Sequence, residues 1–365
     1  MHIIGRDRRE KNLESLISET RIALADAAGL ASRMIDHLAK RDLTFEARDG
    51  RMVAKLPFGT SSLAVEAKAL AIRVEASDKG RLELLRSFVA SQVIEFAGDE
   101  QPDIVWLGNE SHGRTLANFR EVQLKAAVDI TPHMRRLTFT GGDIARFASD
   151  DDLHVRMYFP PEGIDTPEWP WPGADGRIMW PEADRKPATR YYTIRRIDLR
   201  AREIDIDFVM HDLAGPGSAF AQNAKPGAIC GMAGPLGRTA RPADWYLLAG
   251  DETALPAIAR ILEGLPATAS GQVFIEVLDA SEEFTLTAPP GISIRWLHRG
   301  TALPGTTTLL TDAVMSARWP DHREVFAWAA GETQTARTLR EYFRDTRGLA
   351  REQYLSVAYW GLGKS

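Results

Sequence analysis

The chain has 365 residues, and at about 150 residues per domain this length predicts two or three domains. The net charge of −5 disfavours a nucleic-acid-binding protein, because phosphate contacts need a basic excess on at least one face. The single cysteine, Cys230, excludes an internal disulfide and an iron–sulfur cluster, which needs about four thiolates, so redox chemistry would require a bound organic cofactor.

Residues 1–108 are predicted to form a small α+β module. Apolar residues at helical spacing predict two helices, Ile22–Lys40 and Arg81–Phe96. Alternating residues between these helices predict three short strands: Arg51–Leu56, Ser62–Glu66 and Ala69–Glu75. Gly, Asn, Ser and His residues in Leu107–Leu116 then predict a linker.

Residues 117–242 are predicted to form an antiparallel β-barrel, because regularly spaced short strands separated by Pro and Gly are typical of closed barrels. The predicted strands are Val122–Val128, Met134–Thr140, Val155–Phe159, Arg190–Ile197, Glu203–Met210 and Ala228–Met232. The segment Pro160–Pro187 is rich in Pro, Trp and acidic residues, and its length predicts a functional or mobile surface loop.

Residues 243–365 alternate between strand and helix patterns, which indicates a parallel α/β sheet that binds ligands at the carboxyl ends of its strands. The predicted strands are Trp245–Ala249, Val273–Leu278, Ser293–Leu297 and Val325–Ala329. The predicted helices are Ala254–Glu263 and Gln334–Arg347. The chain is therefore predicted to be a multidomain protein that ends in a nucleotide-binding domain.

The segment Arg190-Tyr191-Tyr192-Thr193 lies on a predicted barrel strand and supplies three groups that a flavin needs. These are a cation for the pyrophosphate, a flat aromatic ring against the flavin or its ribityl chain, and a hydroxyl near the ring nitrogens. Arg190 and Tyr192 should point to one face of the strand. The same four residues are also compatible with an ordinary aromatic strand flanked by surface charge.

A glycine-rich turn and the start of a short helix follow the strand that ends near Val209. The glycines allow close backbone approach to a ligand, and a serine with the first free N–H groups of the helix can hold a pyrophosphate. An ordinary turn with a serine N-cap is the alternative. The predicted FAD-binding residues of this segment are Val209, His211, Gly215, Gly217, Ser218 and Ala219.

Two turns at strand ends in the last block suggest nucleotide contacts. Gly250 precedes a helix N-terminus where a phosphate could dock, and Ala330-Gly331 repeats this arrangement near the C-terminus. Asp251 and Glu252 would repel phosphate unless they point away, and capping of the helix is their alternative role.

In this order, the motifs resemble the siderophore-interacting protein family, FAD-containing ferric-siderophore reductases within the ferredoxin-reductase-like superfamily. The resemblance covers about residues 119–363. It rests on Thr131-Pro132-His133-Met134-Arg135-Arg136, His154-Val155-Arg156, Arg190-x-Tyr192-Thr193-x-Arg195, His211 to Ala221, Ala249 to Pro256, Ala330-Gly331-Glu332 and Tyr359-Trp360. The N-terminal block resembles a small uncharacterised domain sometimes fused ahead of this family, through Leu56-Pro57-Phe58-Gly59-Thr60 and Glu95-Phe96-Ala97.

The resemblance implies that NAD(P)H, or ferredoxin, reduces bound FAD, and that reduced FAD passes single electrons to Fe(III) in a siderophore, which releases Fe(II). The implied FAD contacts beyond those above are Asp251, Thr253, Tyr359 and Trp360. The implied nicotinamide contacts are Gly250, Glu252, Ala330, Gly331 and Glu332.

Anionic ferric chelates favour a basic pocket, and in the family basic side chains beside the flavin serve this role. Arg156 matches one such position. The family often has an arginine directly after the Tyr-Trp pair, where this chain has Gly361. Either one basic contact is missing, or Lys364 replaces it, or the preferred chelate is less anionic.

Three functions remain open from the sequence: the ferric-siderophore reductase, a general flavin reductase or diaphorase, and a non-catalytic siderophore-binding or iron-handling protein. The histidines lack ligand-like spacing, so we expect no protein-bound metal. Asp279, just after the strand Val273–Leu278, favours NADH through a ribose hydroxyl. No apolar run approaches the roughly 20 residues of a membrane helix and residues 1–11 lack a signal-peptide core, which predicts a soluble cytoplasmic protein. We also expect a monomer.

Overall fold

The computed structural model describes residues 15–41, 43–109, 114–164, 166–211, 215–321 and 324–363. These residues form two compact units. The N-terminal unit comprises the described residues up to Phe119 together with Glu168–Ala183, and the C-terminal unit comprises the rest. The predicted multidomain class is confirmed, with an α+β module, an antiparallel barrel and a parallel α/β sheet.

The first part of the N-terminal unit has five antiparallel strands and two helices: β1 (Leu16–Ala23), α1 (Ala27–Ala39), β2 (Phe45–Arg48), β3 (Arg51–Leu56), β4 (Gly59–Glu66), β5 (Ala69–Ala76) and α2 (Lys79–Ala97). The sheet order is β1-β5-β4-β3-β2. Apolar residues of both helices join those of the sheet in one core, as the alternating and helical patterns require.

The predicted helix Ile22–Lys40 is wrong at its N-terminal end. Alternate residues near the end of β1 are buried, and Ile22 pairs with Leu70 in the sheet, so this stretch is extended. Asp26 sets the start of α1, because its side chain accepts a hydrogen bond from the Gly29 N–H at 2.9 Å.

The next segment contains six barrel strands, one helix and a short hairpin: β6 (Phe119–Thr131), β7 (Met134–Thr140), β8 (His154–Phe159), β9 (Trp171–Pro172), β10 (Ile178–Met179), β11 (Ala188–Asp198), β12 (Glu203–Val209), α3 (Pro216–Asn223) and β13 (Ile229–Leu236). The closed barrel has the strand order β11-β12-β7-β6-β13-β8. Apolar side chains such as Phe139, Met157 and Phe208 form its core.

The segment Pro160–Pro187, predicted as a functional or mobile surface loop, contains a short hairpin. Its central part, Glu168–Ala183, contains the β9–β10 hairpin and belongs to the N-terminal unit. The aromatic residues of the segment explain this, since the Trp169 ring packs 5.1 Å from the ring of Phe119.

The last segment forms a parallel sheet with three helices: β14 (Trp245–Asp251), α4 (Leu255–Gly264), β15 (Ser270–Val277), β16 (Gly291–His298), α5 (Leu309–Met315), β17 (Val325–Glu332), α6 (Thr333–Glu341) and β18 (Tyr354–Trp360). The order is β16-β15-β14-β17-β18, so the carboxyl ends of all five strands share one edge. The predicted helix Gln334–Arg347 changes at Glu341 into a π turn over Tyr342–Thr346. The sequence patterns did not predict α5 and β18.

Charged side chains join the parallel sheet to the barrel within the C-terminal unit. Arg260 of α4 donates to the carbonyls of Leu153, just before β8, at 3.3 Å and of Ile194 on β11 at 3.1 Å. Arg195 of β11 binds Glu263 of α4 through two bonds of 2.6 and 3.0 Å. These contacts hold β8 and β11 against α4. Among the described helices, none is long and apolar enough to cross a membrane.

Candidate functional site

Tyr192 occupies one face of β11, where it meets the start of α3. Its ring centre lies 4.1 Å from that of Phe208, and burial raises the pKa of its hydroxyl. The hydroxyl is so close to Gly217 that a β-carbon on Gly217 would lie 1.9 Å from it. The structure thus brings together two residues that the sequence assigned to FAD separately.

The start of α3 gathers other predicted residues of the glycine-rich turn. Gly215 is the N-cap residue, no described side chain caps the helix, and Pro216 in the first turn has no N–H to satisfy. Ser218 Oγ lies 3.3 Å from the Val209 carbonyl oxygen and 3.0 Å from His211 Nε2. An uncapped helix N-terminus with its free N–H groups is suited to an anion such as a pyrophosphate.

Tyr191 projects from the opposite face of β11, directly across from Arg156 of β8. The guanidinium carbon of Arg156 lies 4.8 Å from the centre of the Tyr191 ring, and Arg156 also donates a hydrogen bond to the Tyr191 hydroxyl. The Arg156 Nε is buried and has no hydrogen-bond partner among the described residues. Because Tyr191 is 56% exposed, this cation–aromatic pair borders solvent.

His154 lies two residues before Arg156, on the same face of β8 and across from Thr193. Its Nε2 and the Tyr359 hydroxyl oxygen share a hydrogen bond of 2.6 Å. Burial, with a smaller contribution from Arg260, lowers the pKa of His154 to about 4, so the ring is neutral at pH 7. Burial also raises the pKa of Tyr359, which keeps its proton and joins β18 to the barrel.

Asp251, at the end of β14, binds Trp360, the residue that follows Tyr359 on β18. Its Oδ2 accepts a hydrogen bond from the Trp360 indole at 2.7 Å, and its Oδ1 accepts bonds from the Thr253 N–H at 2.9 Å and hydroxyl at 2.5 Å. Burial raises the pKa of Asp251 in spite of these bonds. His154 and Asp251 therefore fix the Tyr359-Trp360 pair from the barrel and from the parallel sheet.

The residues predicted to bind nicotinamide meet at the carboxyl edge of the parallel sheet. Gly250 pairs with Ala330 across β14 and β17, and a β-carbon on Gly250 would lie 2.4 Å from that of Ala254. Gly331 has φ +154°, and its own β-carbon would lie 2.8 Å from Asp251 Oδ2. Both glycines are therefore required by close packing at this edge.

The acids at this edge are engaged by the protein. Glu252 binds Arg299 through two bonds of 2.5 and 2.9 Å, and both side chains are largely buried. Glu332 caps α6, where it accepts bonds from the N–H groups of Gln334 and Thr335. The alternative that Asp251 or Glu252 caps the following helix is wrong, because α4 begins after Ala254 without a cap from any described side chain.

Comparison with known proteins identifies the family. Residues 243–363 match the family model described as siderophore-interacting protein, and residues 123–239 match the siderophore-interacting FAD-binding domain. The chain is 34% identical over 242 residues to the ferric vibriobactin reductase of Vibrio cholerae, across 65% of this chain and 87% of that protein. The chain belongs to the siderophore-interacting protein family. Residues 19–107 match a family of uncharacterized proteins conserved in bacteria, DUF2218.

Two further family relatives extend the comparison. The chain is 30% identical over 250 residues to the NADPH-dependent ferric-chelate reductase of Escherichia coli, across 66% of this chain and 92% of that protein. A siderophore utilization protein from T. fusca is 41% identical, with a TM-score of 0.62 over 68% of this chain and 94% of that one. The predictions of the family and of FAD as its cofactor are confirmed.

The barrel residues fit the FAD that the family implies. No described side chain caps the N-terminus of α3, and no described atom lies within 4 Å of where a β-carbon on Gly215 would be. The unpartnered buried Nε of Arg156 adds a donor beside the exposed Tyr191 ring.

In the described part of the chain, no group of three or more His, Cys, Asp or Glu side chains is arranged to hold a metal ion.

Sequence reasoning left two partners of the predicted site residues unassigned. His154 was named only within a motif, and its contact with Tyr359 was not predicted, although its spacing of two from Arg156 places both on one strand face. Arg299 could not have been found, because it lies 47 residues from Glu252 and carries no local signal. Asp279 bonds Ser281 at 2.6 and 2.8 Å, and Lys364 lies outside the described residues.

Acid is expected to weaken the structure around His154. Between the unfolded pKa of 6.5 and the folded value of about 4, the unfolded chain binds a proton that the folded chain does not. The neutral His154 ring therefore makes its full contribution to the free energy of unfolding above about pH 6.5. This contribution, about 3 kcal/mol at most, is lost as the pH falls toward 4. Urea midpoints at pH 7 and pH 5 should differ more for the wild type than for His154→Gln, and equal differences would contradict this account.

Proposed function

We propose that this chain reduces ferric siderophores and releases Fe(II), with electrons passing from NAD(P)H, or from ferredoxin, through bound FAD. Family membership and two relatives named as reductases support this reaction. The structural observation that carries it is the Arg156–Tyr191 pair. This pair sets a cation of β8 beside a half-exposed aromatic ring of β11, the strand that bears Arg190, Tyr192 and Thr193.

The FAD assignment uses both faces of β11 and the start of α3. Arg190 supplies a cation for the pyrophosphate, and the free N–H groups of α3 supply hydrogen-bond donors. Tyr192 and Thr193 are held rigidly, since the Tyr192 ring packs on Phe208 and Thr193 is buried. When bound, FAD supplies a carrier that takes electrons in pairs from a nicotinamide and gives them singly to Fe(III).

The chelate assignment rests on Arg156, which attracts an anionic siderophore without ligating iron. Fe(III) prefers hard oxygen donors more strongly than Fe(II) does, so reduction in place weakens the complex. Tyr158 and Tyr191 both hydrogen-bond the Arg156 side chain, which limits its rotamers before the chelate arrives. A preorganised cation loses less entropy on binding than a free one.

The nicotinamide assignment rests on the carboxyl edge of the parallel sheet. Gly250 and Gly331 lie where β14 and β17 end side by side, at the edge where parallel sheets bind nucleotides, and their missing side chains make room for Ala254 and Asp251. Arg299 offsets the charge of Glu252 at the same edge. Ala330 and Glu332 complete the proposed set.

The decisive experiment is anaerobic reduction of the FAD-loaded protein by NADH, NADPH or reduced ferredoxin, followed by ferric siderophores and a ferrous trap. We expect the flavin absorbance to bleach, to return when the ferric siderophore is added, and Fe(II) to accumulate in the trap. Faster turnover of cytochrome or dye acceptors would favour the general flavin reductase. Tight chelate binding without flavin reoxidation would favour the non-catalytic binder, and failure to take up FAD would refute the proposal.

We also propose functional limits for the parts of the chain. Residues 117–242 form the FAD-binding barrel, residues 243–365 the nicotinamide-binding domain and residues 1–108 the added module. The observed barrel strands end at Leu236 and the parallel sheet begins at Trp245, which supports the second boundary. We propose a monomer that works in the cytoplasm, where NAD(P)H is available.

A further inference from the structure

The connection between β8 and β11 leaves the unit to which the barrel belongs. We call residues 160–187 the hairpin excursion. Its middle, Glu168–Ala183, belongs to the N-terminal unit, whereas the legs 160–167 and 184–187 belong to the C-terminal unit. The strands at its two ends carry Arg156 and Tyr191, so the excursion is the covalent link between the two sides of the proposed chelate site.

The α+β module grips the tip of the excursion. Trp106 Nε1 donates a hydrogen bond to the Asp175 carbonyl at 3.0 Å, and the Ile178 N–H donates one to Ser87 Oγ at 3.1 Å. Gly176 has φ +87° and lies flat against the indole, since a β-carbon there would be 2.5 Å from Trp106 Nε1. Trp106 is itself part of the buried core of the module, so the grip has a rigid base.

The excursion is stiff at its tip and closed at its base. Within the turn, the Asp175 side chain accepts bonds from the Arg177 N–H at 2.9 Å and from its Nε at 2.6 Å. At the base, Arg185 of the returning leg donates to the Thr166 carbonyl of the outgoing leg at 3.0 Å. Displacement of the tip is therefore passed to the legs rather than absorbed within the turn.

The legs end where the β8–β11 ladder begins. The first two pairs of the ladder are Phe159 with Ala188 and Tyr158 with Thr189. Tyr158 is the residue that hydrogen-bonds Arg156 from within its own strand. Tyr158 keeps its pair with Gly231 of β13 on the other side, so fraying of the β11 pairs would loosen one of the two hydroxyl groups that preorganise Arg156.

We propose that the α+β module is a positioning module for the chelate site. By gripping the hairpin through Trp106 and Ser87, it keeps the end of the β8–β11 ladder formed and Arg156 preorganised. The identity of the ligand rests on the proposed function, but the contacts of Trp106 and Ser87 with the hairpin do not. Trp106, Ser87 and Gly176 are positioning residues that act through Tyr158 and Arg156.

The test compares two alanine substitutions in the same excursion. Gly176→Ala strains a positive φ and drives a β-carbon into the Trp106 indole. Gly163→Ala strains a similar φ of +79° but meets no described atom within 4 Å, which makes it the matched control. Trypsin cleavage after Arg177, Arg185 and Lys186 reports release of the hairpin independently of the cofactor.

With Gly176→Ala we expect the rate of trypsin cleavage and the KM for ferric siderophore each to rise about tenfold. Loss of one or two hydrogen bonds gives a change of this size. Affinity for FAD should stay within about twofold, and Gly163→Ala should match the wild type in all three measurements. Unchanged cleavage in Gly176→Ala would overturn the grip. Increased cleavage with unchanged affinity for the chelate would overturn the positioning role.

The proposed function and this inference fail differently. Wild-type protein that does not reduce ferric siderophores would refute the function. In that case the Kd for the ferric siderophore, measured by quenching of protein fluorescence, replaces KM as the readout. A Gly176→Ala protein that binds the chelate as tightly as Gly163→Ala then overturns the positioning role, and a weaker one supports it.

Discussion

Replacing Gly217 with alanine is expected to weaken FAD binding about 10- to 100-fold, so that the protein purifies largely colourless. The new β-carbon would lie 1.9 Å from the Tyr192 hydroxyl oxygen and 2.9 Å from its ring carbon Cζ. Neither partner can move away cheaply. Gly217 is buried in the first turn of α3, and the Tyr192 ring packs against Phe208 and Phe159. Overpacking of this kind costs about 1–3 kcal/mol, which would displace α3 from β11.

Gly142→Ala is the control for this substitution. Gly142 lies between β7 and β8, outside the proposed FAD residues, and a β-carbon there would meet no described atom within 4 Å. Its affinity for FAD should stay within about threefold of the wild type. Titration of each apoprotein with FAD measures the difference. If Gly217→Ala bound FAD as tightly as Gly142→Ala, the contact between α3 and β11 would not belong to the FAD site.

A double-mutant cycle tests whether the clash itself is the cause. Tyr192→Phe removes the hydroxyl that the new β-carbon meets first, although the ring carbon remains 2.9 Å away. Gly217→Ala should therefore cost less affinity in the Tyr192→Phe background than in the wild type. Equal costs in both backgrounds would locate the effect of alanine elsewhere in the turn.

The barrel and the parallel sheet were predictable because their strands carry strong local signals. Barrel strands alternate between apolar and polar residues and are separated by Pro and Gly, and this pattern identified all six. Trp245–Asp251 is buried at every position, and such a continuous apolar run is typical of a central parallel strand. The family motifs add order to these elements, and comparison confirms the family.

Other elements were missed because they carry little periodicity. The strands β9 and β10 have two residues each, too few for a pattern. β18 follows a π turn and a short 3₁₀ turn, Arg351–Gln353, that break the pattern before it. The extended stretch Leu16–Ala23 was assigned in part to the following helix, because only Asp26 marks the boundary.

The site was predictable as a set of residues but not as an arrangement. The sequence names Arg156 and Tyr191, yet only the register of β8 against β11 places them opposite one another. Register depends on turns and bulges that a single sequence does not reveal. The same limit applies to Gly217, whose need to be glycine depends on where the Tyr192 hydroxyl lies.

Replacing Arg156 with glutamine is expected to lower kcat/KM for an anionic ferric siderophore about 10- to 100-fold, because hydrogen bonds to charged groups contribute about 1.5–3 kcal/mol. KM should account for most of the change, since the cation binds the chelate before electrons move. Reduction of FAD by the nicotinamide, measured without a chelate, should change little. Steady-state assays with a ferrous trap, together with stopped-flow reduction of the flavin, measure both.

Three variants separate charge from geometry. Arg344→Gln removes one positive charge from an exposed turn of the same unit and should leave kcat/KM unchanged. Tyr191→Phe keeps the ring beneath Arg156 but loses the hydroxyl bond, and it should cost only about threefold. Arg156→Lys keeps the charge but not the planar fork, so it should recover part of the loss. A loss in Arg344→Gln as large as in Arg156→Gln would show that net charge, not this site, is responsible.

The charge of the chelate and the ionic strength distinguish an electrostatic role of Arg156 from a structural one. A neutral ferric chelate should lose much less than an anionic one in Arg156→Gln, because the lost term is mainly electrostatic. Raising the ionic strength should weaken wild-type binding of the anionic chelate more than binding by the variant, since salt screens a charge that only the wild type presents. Gly361 stands where the family often has an arginine, so Arg156 should account for a large part of the difference between anionic and neutral chelates. Equal losses for neutral and anionic chelates would mean that Arg156 supports the strand pair rather than attracting the chelate.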